Sequence, residues 1–177
     1  QDDYFSFWEF IKRTPRSNFA RFTFAIALIM GATNISGPFF NVYMLRDLRW
    51  TPDQFATCTS MFLASQVIVV PWWGTMCDRH GNRATLLATS AIIPFLPVAW
   101  AMTTNYHAIL CLQVVAGMAW SGFNLAIINF IFDSVSQQKR PRVISYFGVI
   151  NGIFILTGGS VIGAFLAENL PSSYSMG

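Results

Sequence analysis

Residues 84–132 read ATLLATSAIIPFLPVAWAMTTNYHAILCLQVVAGMAWSGFNLAIINFIF, 49 positions without one Asp, Glu, Lys or Arg. Hydrocarbon about 30 Å thick is crossed by about 20 apolar residues in a helix, so this run is too long for one crossing. Its polar cluster, Thr103-Thr104-Asn105-Tyr106-His107, falls where a turn at a membrane surface would divide it. Working outward, Phe22 to Leu45, Gln54 to Cys77 and Val143 to Ala167 are also free of charge. Five spans are expected, at 22–45, 54–77, 84–102, 108–132 and 143–167. Runs of this length without alternation suit helices and not barrel strands of about ten residues. The fold class expected is all-α integral membrane. Composition agrees, with 54% hydrophobic and 11% charged residues in 177, against about 25% charged in an ordinary soluble domain.

Lys and Arg orient such a bundle, because acidic residues contribute little to topology. Lys12, Arg13, Arg16 and Arg21 precede the first span, Arg79 and Arg83 lie in the second loop, and Lys139, Arg140 and Arg142 in the fourth. The opposite side has Arg46 and Arg49. The amino end is therefore expected in the cytoplasm and the carboxyl end of the chain outside, in a plasma (inner) membrane. The net charge of +3 follows from inner loops, with no nucleic-acid partner implied. Residues 1–21 read either as an amphipathic cytoplasmic linker along the inner leaflet or as an ordinary connection. Residues 168–177 are expected to be an extracytoplasmic tail. Thr51-Pro52-Asp53 supplies a cap, a Pro at the first helical position and an acid at the positive dipole end. Tyr43, Trp50, Trp100 and Tyr106 fall near the outer boundaries, as an aromatic belt does.

Chemistry is sparse. Cys58, Cys77 and Cys111 lack CxxC spacing, and His80 and His107 lie far apart in loops, so neither a metal site nor a disulfide framework is expected. No catalytic residue and no cofactor are called for, and an enzyme is not expected.

One loop carries a specific signature. Gly74-Thr-Met-Cys-Asp78-Arg79-His-Gly81-Asn-Arg83 matches GxxxDRxGxR at every defined position. Gly81 permits positive φ in a short turn and the arginines fit an inner loop. Asp78 needs a further reason, since a carboxylate at the end of its own helix opposes the dipole by a few tenths of a kcal/mol or more, about 0.3 to 1. Arg79 or Arg83 could compensate it, or the amino end of another helix docked there.

With this loop the chain resembles the major facilitator superfamily, whose signature between the second and third helices of each half is GxxxDRxGxR/K. The resemblance implies a conformational-switch role for Gly74, Asp78, Arg79, Gly81 and Arg83. In the fourth span Gln113 and Gly117 stand at the family's Arg-and-Gly spacing without the Arg, and Gly148, Gly152, Gly158, Gly159 and Gly163 give the Gly-rich fifth helix, without the antiporter Pro. A twelve-helix protein of two six-helix halves is implied, so five spans read as part of one half. The lead-in and the degenerate motifs favour the C-terminal half, with the N-terminal half as a missing partner and a further helix after residue 177.

At 100° per residue Gln113, Gly117, Trp120 and Asn124 share one face of the fourth span, and Asn34 and Asn41 share one on the first, with Gly37-Pro38 between them expected to loosen the helix. The family lines its cavity with these helices, which makes Asn34, Asn41, Gln113, Trp120 and Asn124 candidates to line a solute path. The other reading of each amide is interhelical glue, worth about 0.6 to 2 kcal/mol. Gly148xxxGly152 and Gly159xxxGly163 are expected at close helix contacts, and Pro94 and Pro97 to bend the third span. The expected function is transport of a small solute across the lipid bilayer by alternating access. A nontransporting scaffold or partner-binding protein of the same fold is the alternative.

Overall fold

The computed structural model describes residues 18–162. The expected lead-in as far as Ser17, and the chain from Gly163 through the tail, lie outside the described residues. Among the described residues there is no strand. Five helices are long and apolar enough to cross a membrane: Arg21–Asp47, Pro52–His80, Asn82–Ala101, Tyr106–Ser134 and Gln137–Gly159. Their outward faces carry large apolar groups, with Val67 73%, Ile68 75% and Phe95 71% exposed. Groups of that size and exposure, unbroken by charge, belong against lipid and not water.

The described residues divide into two compact units, one within 41–137 and the other of the flanking segments 18–40 and 138–162. In the first unit α2 (Pro52–His80) starts on a complete capping box. Gln54 N–H donates to Thr51 Oγ1 at 3.3 Å, and Thr51 N–H donates to Gln54 Oε1 at 3.0 Å. Ahead of it the chain leaves α1 (Asn18–Val42) through a π-helical turn, Tyr43–Asp47, closed by Leu48 N–H on the Tyr43 carbonyl. One residue, Gly81, separates α2 from α3 (Asn82–Ile92). The third crossing is then interrupted, because Pro94 and Pro97 have no N–H to give. It resumes as α4 (Phe95–Ala101), and Leu96 N–H serves the Ile93 carbonyl that Pro97 cannot. Asn105 caps α5 (Tyr106–Ser134), its Oδ1 accepting from the N–H groups of His107 and Ala108.

Helix direction can be read from the contacts along α5. Against α2 the pairs advance together, from Cys58 with Gln113 to Ser65 with Gly117 to Gln66 with Ser121, so the two run parallel. Against α3 they run in reverse, Thr89 meeting Gly122 and Asn82 meeting Asp133. Second and fourth crossings parallel, with the third opposed to the fourth, is the pattern that successive threading of one membrane imposes. The far end carries Trp50 edge-on to Tyr106, ring centroids 5.2 Å apart. The two aromatics assigned to one interface from sequence are thus neighbours.

The seam between α2 and α5 is built on small residues. A Cβ on Gly117 would overlap Ser65 Oγ and the Phe62 carbonyl, and one on Gly122 would lie 2.5 Å from the Trp73 ring and 2.9 Å from Thr89 Cγ2. Polar groups inside the seam are paired, as burial requires. Ser121 Oγ donates to the Gln66 carbonyl at 3.0 Å and Trp73 Nε1 to the Met118 carbonyl at 2.7 Å.

In the other unit α1 packs on α6 (Arg140–Leu156) and on the π-helical turn that follows, Thr157–Ile162. Phe22 stacks on Phe147, Phe24 meets Phe154 edge-on, and Ala27 packs with Ile150. Phe22 with Phe147, Ala27 with Ile150, Gly31 with Phe154 and Asn34 with Gly159 advance together, so first and fifth crossings are parallel. Backbones approach closely at the crossing: a Cβ on Gly31 would stand 2.9 Å from the Phe154 carbonyl oxygen, and one on Gly158 would overlap the Gly31 carbonyl.

Candidate functional site

The signature loop has a simple local cause. α2 ends where Gly81 takes φ 82° and ψ 155°, a region essentially restricted to glycine. Its N–H closes on the Cys77 carbonyl at 2.9 Å while its own carbonyl accepts from Thr85 N–H at 3.4 Å, so this residue ends one helix and starts the next. Asp78, Arg79, His80 and Arg83 around it are all exposed. No hydrogen bond or ion pair joins the Asp78 carboxylate to a described residue, so it is not paired with Arg79 or Arg83. Gly74, one turn earlier, has open space where a Cβ would point; its small size is not used by any described neighbour.

What ties the loop down is a residue at an undefined position of the signature. Asn82 Nδ2 donates to Asp133 Oδ2 at 2.5 Å, linking the start of α3 to the end of α5. Asn82 Oδ1 is enclosed without a partner. Spacing did not single out this pair, because 51 residues separate its members. The one available signal was Asp133 itself, an acid ending a charge-free span.

The polar face of α5 is divided. Gln113 faces Cys58 on α2, and Gly117 sits in the α2 seam against Ser65. Trp120 is half-buried and edge-on to Phe123 at 5.6 Å. The Asn124 side chain is exposed and makes no hydrogen bond to a described residue.

On α1, Asn34 donates from Nδ2 to the Met30 carbonyl at 2.8 Å, within its own helix. Its backbone carbonyl has lost its usual donor because Pro38 stands four residues on, and a Cβ on Gly159 would lie 3.3 Å from that oxygen. Asn41 is exposed. The glycine spacing of the fifth span divides as well. Gly148 and Gly152 meet nothing within 4 Å, and the close contacts belong to Gly158 and Gly159; Gly163 lies outside the described residues. Among the described residues no group of three or more His, Cys, Asp or Glu could hold a metal ion.

Five lipid-length helices and this loop accompany a match over residues 22–176 to the Major Facilitator Superfamily. The chain belongs to that family. Among curated superfamily relatives, the quinolone resistance protein NorA of Staphylococcus aureus is 29% identical over 146 residues, covering 82% of this chain and 37% of NorA. The multidrug resistance protein MdtG of Proteus mirabilis is 24% identical over 150 residues, again 82% of this chain and 37% of the relative. The chain thus spans little more than a third of the length of these relatives. As a superfamily member with five lipid-length helices it is an integral membrane protein.

Proposed function

We propose that this chain is part of a secondary transporter that moves a small amphipathic organic solute across the plasma membrane by alternating access, with the GxxxDRxGxR loop stabilising one rocked state. The observation that carries the reading is Asp78. It is a carboxylate at the unfavourable end of its helix, exposed and without a partner among the described residues, in a loop made rigid by a one-residue glycine joint. Such a group is satisfied by docking against something outside these residues, and a docked carboxylate that lets go is a two-state element both sides of the membrane can bias. Trp120 and Asn124 are proposed to contact the solute, offering a ring face and one neutral amide; relatives named for resistance to quinolones and to multiple drugs favour the same chemistry. The signature loop is placed in the cytoplasm by the positive-inside rule.

The test uses the full-length protein in proteoliposomes, measuring counterflow of a fluorescent amphipathic compound. Exchange above that of empty liposomes is expected, and its absence across a panel of such compounds would favour a nontransporting scaffold. Asp78→Asn is expected to shift thiol accessibility toward the inward-open state. Unchanged accessibility on both sides would mean that Asp78 only caps a turn.

A further inference from the structure

The end of α2 opposite the signature loop gathers hydrogen-bond donors that meet no acceptor. Of the 11 Lys and Arg in the chain, only Arg46 and Arg49 fall in the turns there. Both are exposed, and neither side chain forms a hydrogen bond or ion pair with a described residue. Arg49 has φ 51°, a left-handed backbone that Gly, Asn and Asp adopt more readily than Arg. The turn imposes that angle. Leu48 N–H is bound to the Tyr43 carbonyl at 2.9 Å, Trp50 N–H to the Met44 carbonyl at 3.1 Å and Thr51 N–H to Gln54 Oε1 at 3.0 Å, which fixes the chain on both sides. An arginine where glycine would sit without strain points to a use for its guanidinium. Trp50 beside it is 8% exposed and packed edge-on to Tyr106, yet its indole N–H donates to no described residue. A buried Trp ordinarily finds an acceptor for that group, as Trp73 does on the Met118 carbonyl.

We infer that the Arg49 guanidinium and the Trp50 indole N–H together hold the phosphodiester of a phospholipid in the leaflet at this end, with Arg46 adding a second cation at the rim. The two residues are neighbours in the chain, their Cα atoms about 3.8 Å apart. A phosphodiester presents two unesterified oxygens, one for the guanidinium fork and one for the indole. Depth makes a lipid the bearer. Trp50 and Tyr106 stand at the starts of α2 and α5, where the uncharged spans begin, and this is the level at which such rings meet headgroups. Val42, Leu45 and Met102, all exposed at the same end, offer an apolar wall to acyl chains. Asp47 and Asp53 equal the two arginines in number, and their carboxylates too have no hydrogen bond or ion pair with a described residue. The end therefore has little net field to draw anions from a distance, and recognition rests on contact. The site stands whether or not the protein transports a solute.

The full-length protein, stripped of lipid in detergent, is titrated with dioctanoyl phosphatidylglycerol, and bound copies are resolved by native mass spectrometry. One copy held more tightly than the rest is expected, and the lack of such a copy overturns the inference. Arg49→Gly should weaken it about tenfold or more. The same variant should melt at or above the wild type without lipid, because glycine takes the positive φ freely. A ligand contact and a structural role are thereby separated: wild-type affinity in Arg49→Gly, or a lower melting temperature, counts against the site. Trp50→Phe keeps a ring against Tyr106 without the N–H and should weaken the same copy several-fold; unchanged affinity removes the indole and with it the site. Lys139→Gln, at an exposed cation in the turn before α6, should change nothing, and an equal loss there would mean that any positive charge serves. Two competitors identify the bearer. Dioctanoylglycerol, with the same chains and no phosphate, should fail to displace the lipid, and success would mean that acyl chains alone are held. Inorganic phosphate in excess should fail as well; displacement by it would make this a site for a free oxyanion and not for a membrane lipid.

Discussion

Gly122→Ala adds one methyl group at a place where the structure leaves none to spare. The new carbon would stand 2.5 Å from two ring carbons of Trp73 and 2.9 Å from Thr89 Cγ2, against a relaxed carbon–carbon separation of about 3.5 to 4.0 Å. About 1 Å must be found. The indole cannot supply it by swinging aside, because its Nε1–H is held on the Met118 carbonyl at 2.7 Å, and Thr89 is fully buried. Overpacking of this kind costs about 1 to 3 kcal/mol, while Gly to Ala inside a helix returns about 0.5 to 1 kcal/mol. The net loss expected is up to about 2 kcal/mol. Gly148→Ala, in a helix where a Cβ meets nothing within 4 Å, should keep only the gain, so the two variants differ by the overpacking cost, about 1 to 3 kcal/mol. Thermal unfolding of the full-length protein in one detergent, followed by tryptophan fluorescence, measures both. If Gly122→Ala melts at or above Gly148→Ala, the reasoning that places α2, α3 and α5 in contact at Gly122 is wrong.

Three further outcomes can be read in the same assay. Gly81→Ala and Gly81→Asn should both lower the melting temperature, by about 1 to 3 kcal/mol in stability; rescue by Asn, which tolerates ordinary left-handed turns, would show that the joint is not at ψ near 155°. Trp73→Phe loses the bond to the Met118 carbonyl and should cost about 0.5 to 1.5 kcal/mol plus the lost ring contact, whereas Trp72→Phe, on an exposed residue, should cost nothing measurable. Asp133→Ala removes the acceptor from Asn82 and should be matched by Asn82→Ala, with the double variant no worse than either single one; additive losses would mean that the two residues act separately.

The sequence made the fold legible wherever one residue type has one physical meaning. Charge-free length required crossings, Thr51-Pro52 a helix start, Gly81 a positive φ, and Pro94 with Pro97 a break in the third span. Legibility ended where meaning depends on a neighbour. Gly148 and Gly152 carry the same spacing as a packing motif yet face open space, while Gly117, Gly122 and Gly158 do the packing; nothing local distinguishes them. Of Gln113, Gly117, Trp120 and Asn124, α2 meets the first two, near its own Cys58 and Ser65, and helical spacing alone does not say where a neighbour lies. Asn82 and Asp133 needed the antiparallel return of α3 along α5 before they could meet.

A joint of a single residue has no slack. The last residue of α2, His80, and the first of α3, Asn82, are separated only by Gly81, and Asn82 is fastened in turn to the end of α5. Neither helix can slide along its axis without pulling its neighbour, and a tilt of one is delivered to the others at full amplitude. Distances between probes placed on α2, α3 and α5 should therefore stay constant through the proposed alternating-access cycle, making these helices a fixed frame from which displacements elsewhere in the protein can be measured.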